Sequence, residues 1–205
     1  MPQKLPRVLA ITNFYPYPEC PYRGSFVRDQ IESVKALGME IDVFCVKAHV
    51  SKWEYVKAPF ALFKLLRRER YDLLHAQHTY TLYITWLVRN LLRLKTPLVL
   101  TFREPEFMKQ PGYVPDKKGV FGRMITSRTM KRRSLFLADH VIAVWKGLMD
   151  ALDFHGPYEE MACGINLDLF HPIPRTEARD RIGWPQDEKI LFFPADRGRR
   201  TDKGA

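Results

Sequence analysis

The chain has 205 residues, of which 46% are hydrophobic and 27% are charged, and its formal net charge is +10. An apolar fraction near one half excludes a disordered chain, a collagen-like repeat and a low-complexity linker. The length accommodates one complete domain of about 150 residues and part of a second. Cys20, Cys45 and Cys163 are odd in number and far apart, which excludes a disulfide framework or zinc knuckle and favours a reducing compartment.

The apolar segments are too short or too interrupted to cross a membrane. Residues 8–11 are too few for a signal-peptide core, and the apolar region at residues 79–100 is broken by Arg89, Arg93 and Lys95. A bilayer span needs about 18 uninterrupted apolar residues. We therefore expect a cytoplasmic protein. Peripheral contact with the inner face of the cell membrane is compatible with this expectation.

Short β-rich runs alternate with longer helical segments along the chain. We predict strands at residues 7–12, 41–46, 72–76, 97–102, 140–144 and 158–163, and helices at residues 25–37, 58–70, 79–94, 119–137 and 146–154. This alternation is typical of an α/β fold, a Rossmann-like, doubly wound parallel sheet with helices on both faces.

A proline-containing linker at residues 171–174 separates this pattern from the C-terminal segment. In that segment we predict a short helix at residues 176–182 and a strand at residues 189–193, with no helical pattern after the strand. We expect one domain at residues 1–172, and at residues 173–205 the linker and opening of a second domain that is truncated.

The loop after the first strand is a candidate anion site, since ligands bind at the carboxyl ends of parallel strands. Gly24 permits close backbone approach, and Ser25 is a predicted N-cap of a helix whose first turn attracts negative charge. A cap without a ligand is the alternative. The absence of G-x-G-x-x-G, Walker A and G-x-S-x-G patterns disfavours a dehydrogenase, a P-loop NTPase and an α/β-hydrolase.

The ends of the third and fourth predicted strands carry further polar residues. His75 and His78 lack an evident third metal ligand, so we interpret them as loop histidines facing a cleft rather than as a metal site. Arg103, Glu104 and Glu106 place a cation and two carboxylates at one strand end. We favour a role in the cleft over a surface salt bridge.

The basic residues form two clusters. Seven lie between Lys117 and Arg133 with no acidic residue among them, and another group follows the aromatic residues of the segment Trp53–Arg70. Such clusters predict contact with anionic lipid, and a solvated helix face is the alternative. We do not expect a nucleic-acid partner, because no recognition motif accompanies the charge.

A set of short motifs resembles family 4 of the retaining glycosyltransferases, which have the GT-B fold of two Rossmann-like domains. In the first domain they are Arg23-Gly24-Ser25-Phe26-Val27, Asp72-Leu73-Leu74-His75-Ala76, Pro97 to Arg103, Ala138 to Val144 and Gly164 to Pro172. Residues 181–185, 189–193 and 197–204 resemble the opening of the family's second domain.

This resemblance implies transfer of a hexosyl group, with retention, from a nucleotide-diphosphate sugar to a lipid-linked or cell-envelope glycan. It implies no metal and no cofactor besides the donor substrate. The catalytic residues it implies are Arg103 and His78. The diphosphate-binding residues it implies are Gly24, Ser25, Arg197 and Lys203.

The chain also departs from the family pattern. Arg103-Glu104 replaces the common His-Gly, Cys163 replaces an Asn, and Trp145 replaces a Ser. The cation at position 103 could still bind a charged acceptor or a phosphate. The family's nucleotide pocket and paired glutamates are missing, so we expect little or no transferase activity from these residues alone. A non-catalytic Rossmann-like module that binds acidic membranes or polysaccharides is the alternative.

Overall fold

The computed structural model describes residues 5–47, 50–51, 53–104 and 127–191. Two compact units divide the described chain, one extending to Gly164 and the other beginning at Ile165. The expected domain boundary between residues 172 and 173 stays a prediction.

The first unit is built on one parallel sheet. Its strands are β1 (Arg7–Thr12), β2 (Glu40–Cys45), β3 (Leu73–Ala76), β4 (Leu98–Phe102), β5 (His140–Ala143) and β6 (Glu159–Glu160). They lie side by side in the order β2-β1-β3-β4-β5-β6, and every neighbouring pair is parallel. The predicted α/β fold is confirmed.

The helices of the first unit are α1 (Ser25–Ala36), α2 (Glu54–Arg68), α3 (Thr79–Leu91), α4 (Arg128–Leu135) and α5 (Lys146–Leu152). The predicted basic helix is therefore confirmed over its second half, while residues 119–126 lie outside the described residues. In the second unit, α6 spans Arg175–Ile182, and residues 189–191 of the last predicted strand have no regular structure. Residues 192 and 193 lie outside the described residues.

Helix α2 begins four residues before its predicted start, although it contains Pro59. Proline has no N–H to donate to the carbonyl four residues earlier, here that of Tyr55. The hydroxyl of Tyr80 on α3 donates to that carbonyl instead, and the rings of Tyr55 and Tyr80 pack edge to face at 4.4 Å. A tertiary contact thus compensates for the missing hydrogen bond.

Helices cover both faces of the sheet because the chain changes direction at its centre. Strands β2 and β3 flank β1, so right-handed crossovers place α1 on one face and α2 to α5 on the other. The larger core contains Leu9, Ile11, Leu62, Leu74 and Leu82, and the smaller contains Ala10, Val27 and Ile31. The prediction of a doubly wound sheet is confirmed.

Among the residues described, no helix is both long and apolar enough to cross a bilayer.

Candidate functional site

The crevice between the carboxyl ends of β1 and β3 is the candidate site. These neighbouring strands are where the strand order reverses, and open α/β sheets bind ligands at such a point. Phe14 follows β1 and His78 follows β3, and their ring centroids lie 5.9 Å apart. The Arg23 guanidinium covers the Phe14 ring at 4.9 Å. The two loops therefore form one continuous aromatic and cationic surface.

Gly24 closes the β1 loop against its own backbone. It is the N-cap of α1 with φ 66° and ψ 26°, a left-handed conformation. A Cβ at this position would lie 2.5 Å from the carbonyl carbon and oxygen of Phe14. The close approach predicted for Gly24 is thus made by the protein backbone. The prediction that Ser25 is the N-cap was wrong: Ser25 is the first helical residue, and the cap makes no side-chain hydrogen bond.

His78 is held in place as the N-cap of α3. Its Nδ1 accepts a hydrogen bond from the Tyr80 amide at 3.2 Å, and its own amide donates to the Thr81 hydroxyl at 3.1 Å. The Nδ1 atom also lies 3.4 Å from Oε1 of Glu104. Because Nδ1 accepts the Tyr80 proton, a neutral His78 carries its own proton on Nε2. The capping role therefore fixes both the ring and its tautomer.

Glu104 forms a buried ion pair with Lys131, in which the Lys131 ammonium donates to Oε2. Their exposed fractions are 4% and 1%, and the Thr79 amide donates to Oε1. Burial raises the pKa of Glu104, but electrostatic effects of His78 and Lys131 and the two hydrogen bonds outweigh it, so the pKa falls below its usual value. Glu104 is therefore ionised and is not part of a surface salt bridge, while Glu106 lies outside the described residues.

The burial of Lys131 also corrects the predicted basic surface on α4. Lys131 faces the protein interior, and Arg132 pairs with Asp153 at 3.0 Å. Lys117, Lys118 and Arg123 lie outside the described residues. The interpretation of the whole cluster as one lipid-binding surface was wrong for Lys131.

Arg103 and Glu104 follow the last residue of β4 and face opposite sides of the sheet, since Arg103 contacts α1 and Glu104 contacts α4. The Arg103 guanidinium donates to the side-chain oxygens of Gln77 and of Gln30 on α1, the latter at 2.6 Å. It also lies 5.4 Å from the Phe26 ring centroid. Burial lowers the pKa of Arg103, and a hydrogen-bonding contact with Cys163 partly opposes this. Two departures from the family pattern, Arg103 and Cys163, thus contact each other.

His75 supports this arrangement from within the sheet. Its Nε2 lies 2.7 Å from the Thr101 hydroxyl, and the Gln77 side-chain nitrogen lies 3.3 Å from the imidazole. Burial, followed by the positive charge of Arg103, lowers the pKa of His75 to about 4. His75 is therefore neutral near pH 7 and adds no second positive charge beside Arg103.

The lowered pKa of His75 predicts that the protein loses stability between pH 6.5 and pH 4. Between these pH values the unfolded chain, with a histidine pKa near 6.5, binds a proton that the folded state does not bind. The contribution of His75 to stability is therefore fully present above pH 6.5 and is lost as the pH falls towards 4. The loss attributable to His75 is roughly 3 kcal/mol at most. Urea unfolding at several pH values measures it, with His75→Asn as the variant that lacks the titrating group. An equal pH dependence in both proteins would contradict the prediction.

The structure brings most of the predicted site residues to one edge of the sheet. Gly24 contacts Phe14, Phe14 contacts His78, and Arg103 contacts Gln77, the residue before His78. Arg197 and Lys203 lie outside the described residues. Sequence reasoning missed Gln30, Gln77 and Cys163 as neighbours of Arg103, and Lys131 as the partner of Glu104. The sequence offered one signal for these contacts. Adjacent residues in an extended segment point to opposite sides, so Arg103 and Glu104 were bound to have different partners.

A parallel α/β sheet with a polar crevice at its switch point defines a Rossmann-like ligand-binding domain. Residues 33–162 match the family described as "Glycosyl transferase 4-like domain". The chain belongs to this family, which confirms the resemblance drawn from the motifs.

Relatives with names and structures agree with this assignment. The D-inositol 3-phosphate glycosyltransferase of Thermobispora bispora is 27% identical over 128 residues, which cover 60% of this chain and 29% of that protein. The sucrose-phosphate synthase of Thermosynechococcus elongatus superposes with a TM-score of 0.65 at 16% identity, covering 89% of this chain and 54% of that one. The likeness to the synthase shows the fold. The chain spans less than a third of the curated relative and about half of the synthase.

Proposed function

We propose that this chain is the acceptor-side part of a GT-B glycosyltransferase that transfers a hexosyl group with retention. The donor is a nucleotide-diphosphate sugar and the acceptor is a lipid-linked or cell-envelope glycan. The observation that carries the proposal is the convergence of Gly24, His78 and Arg103 at the switch-point crevice of a glycosyltransferase-family domain. The curated relative, which is named as a glycosyltransferase, supports the reaction class.

The residues of the crevice have distinct parts in this proposal. The first turn of α1, entered through Gly24 and Ser25, presents partial positive charge to the donor diphosphate. His78, with its proton on Nε2, donates a hydrogen bond to the donor sugar. Arg103 supplies a fixed cation at the end of β4, where its guanidinium can bind a negatively charged group of a substrate.

We assign the leaving diphosphate to Arg197 and Lys203, which lie outside the described residues. Planar guanidinium and mobile ammonium groups are complementary in binding phosphate oxygens. No metal or additional cofactor enters the proposal.

Activity of the complete gene product tests the proposal. A panel of nucleotide-diphosphate sugars is offered with a lipid extract as acceptor, and release of the nucleoside diphosphate and the anomeric configuration of the product are measured. We expect transfer with retention, and a fall in kcat/KM of about 100-fold in His78→Ala. His155→Ala, which changes a well-exposed histidine, is the matched control. A product of inverted configuration, or no donor consumption, contradicts the proposal.

The second-domain cations have their own test. In the complete gene product, Arg197→Ala combined with Lys203→Ala is expected to lower kcat/KM. The fall should correspond to a loss of several kcal/mol of transition-state stabilisation. The 205-residue chain alone is expected to show little or no transfer. Unchanged kinetics in the double variant would remove Arg197 and Lys203 from the diphosphate site. Absence of transfer by the complete gene product would favour the non-catalytic module.

The outer surface of α2 supports peripheral membrane contact. Trp53 and Phe60 are 69% and 71% exposed, and Val56 lies on the same side. The C-terminal part of the helix exposes Lys64, Arg67 and Arg68. Aromatic side chains that insert at the headgroup level, next to cations that attract anionic lipid, are the pattern of an interfacial helix. We propose that this surface docks the enzyme beside its lipid-linked acceptor.

Vesicle binding checks this docking. The protein is expected to sediment with vesicles containing anionic phosphatidylglycerol but weakly with neutral phosphatidylcholine vesicles. Trp53→Ser with Phe60→Ser is expected to lower the bound fraction about tenfold, since the two exposed aromatic side chains that would insert into the bilayer are lost. Leu37→Ser is the matched control, because Leu37 is 78% exposed at the end of α1. Equal loss of binding in the control would contradict a specific role of α2.

A further inference from the structure

Arg103 brings a positive charge into the crevice without an acidic partner among the described residues. Its hydrogen-bond acceptors are the neutral side chains of Gln77 and Gln30, and its remaining neighbours are the Phe26 ring and the Cys163 side chain. Its Nε atom is buried and has no acceptor in the part of the chain that the structure describes. The guanidinium charge is therefore not neutralised by any acidic side chain among the described residues.

The nearest described acid in sequence does not neutralise this charge. Glu104 lies on the opposite side of the sheet, where Lys131 and the Thr79 amide occupy its oxygens. The positive charge of Arg103 acts on His75, since after burial it is the second cause that lowers the pKa of His75. A partly buried charge without a counter-charge is costly, so proteins retain one where a ligand completes the pair.

The two glutamines also fix the direction of the guanidinium. Gln77 follows β3 and Gln30 lies on α1. The Arg103 side chain is therefore held by hydrogen bonds to two different parts of the fold. Arginine held in this way presents a planar fork that matches carboxylate and phosphate oxygens. The arrangement is preorganised for an anion.

We propose that Arg103 binds an anionic substituent, a carboxylate or a phosphate, on a sugar substrate of this enzyme. This inference rests on the proposed glycosyltransferase function and names the substrate class that the crevice selects. The neutral side chains of Gln77 and Gln30 position the guanidinium without neutralising its charge. A neutral sugar would leave that charge unpaired and would bind less tightly.

Direct binding of matched sugars to the 205-residue chain tests the proposal. Glucose, glucose 6-phosphate, glucuronate and UDP are titrated at low ionic strength and followed by protein-observed NMR or calorimetry. We expect glucose 6-phosphate or glucuronate to bind at least about tenfold more tightly than glucose, and the stronger of the two identifies the anion. Arg103→Gln should abolish the preference, and Arg103→Lys should keep part of it. Thermal unfolding without ligand shows that both variants are folded.

Two outcomes would overturn the proposal. One is equal binding of the three sugars to the unmodified chain. The other is an effect of Arg103→Gln on UDP alone, which would assign Arg103 to the donor diphosphate. Neither outcome bears on glycosyl transfer itself, which the activity of the complete gene product decides separately.

Discussion

Replacing Glu104 by Gln is expected to lower the free energy of unfolding by roughly 3–5 kcal/mol. The change is nearly isosteric, so packing is preserved, but the buried ammonium of Lys131 loses the carboxylate to which it donates. The Thr79 amide at the start of α3 also loses a charged acceptor. The cost arises because a buried ammonium loses the carboxylate to which it donates, not from any large intrinsic strength of the ion pair.

A double-mutant cycle measured by urea unfolding separates these contributions. Lys131→Met is expected to be destabilising alone, because it leaves Glu104 buried near His78. Glu104→Gln combined with Lys131→Met should recover much of the loss, because no buried charge remains. The exposed pair of Arg132 and Asp153 is the control, and Asp153→Asn should cost less than about 1 kcal/mol. Strictly additive effects at Glu104 and Lys131 would contradict this account.

Gly24→Ala is the second substitution with a large expected effect, about 2–4 kcal/mol of unfolding free energy. Part of the cost is the positive φ, which an L-residue adopts with a penalty of about 1–2 kcal/mol. The rest comes from the methyl group, which would lie 2.5 Å from the Phe14 carbonyl. Backbone atoms cannot move aside as a flexible side chain does, so the loop after β1 must shift. Because Phe14 contacts His78, that shift also reaches the crevice.

Gly38→Ala is the matched control in the same unit. Gly38 also has positive φ, at 91°, but a Cβ there meets only a Leu5 methyl group at 3.0 Å. Its expected cost is therefore about 1–2 kcal/mol, mainly from the backbone conformation. Equal losses of stability for the two variants would show that the contact with Phe14 contributes nothing.

The fold was predictable because its signals are local. The buried strands read as short apolar runs, and the helices between them show a regular apolar spacing, so the strand–helix order follows directly. The start of α2 was not predictable, because the compensation for Pro59 comes from Tyr80 on another helix. The sequence shows that Pro59 lacks an N–H group. It does not show that the distant hydroxyl of Tyr80 donates to the Tyr55 carbonyl instead.

The positions of the candidate residues in the fold were predictable from the sequence, but the side chains that contact them were not. Loops at the carboxyl ends of β1, β3 and β4 follow from the topology, and they contain Gly24, His78 and Arg103. The burial of Lys131 was hidden because it lies in a basic run that resembles a solvated helix face. Ser25 was misassigned because a serine is a common N-cap, whereas here the backbone contact with Phe14 requires Gly24 in that position.

The end of β4 has a consequence for how this protein can diversify. Arg103 and Glu104 are adjacent in the chain, yet one faces the crevice and α1 while the other joins α3 and α4 on the opposite side. With Arg103 in the proposed role, substitutions at position 103 would alter ligand preference without removing the ionic interaction of Glu104 with Lys131. The side chain that faces the crevice and the ion pair on the other side of the sheet can therefore change independently of each other.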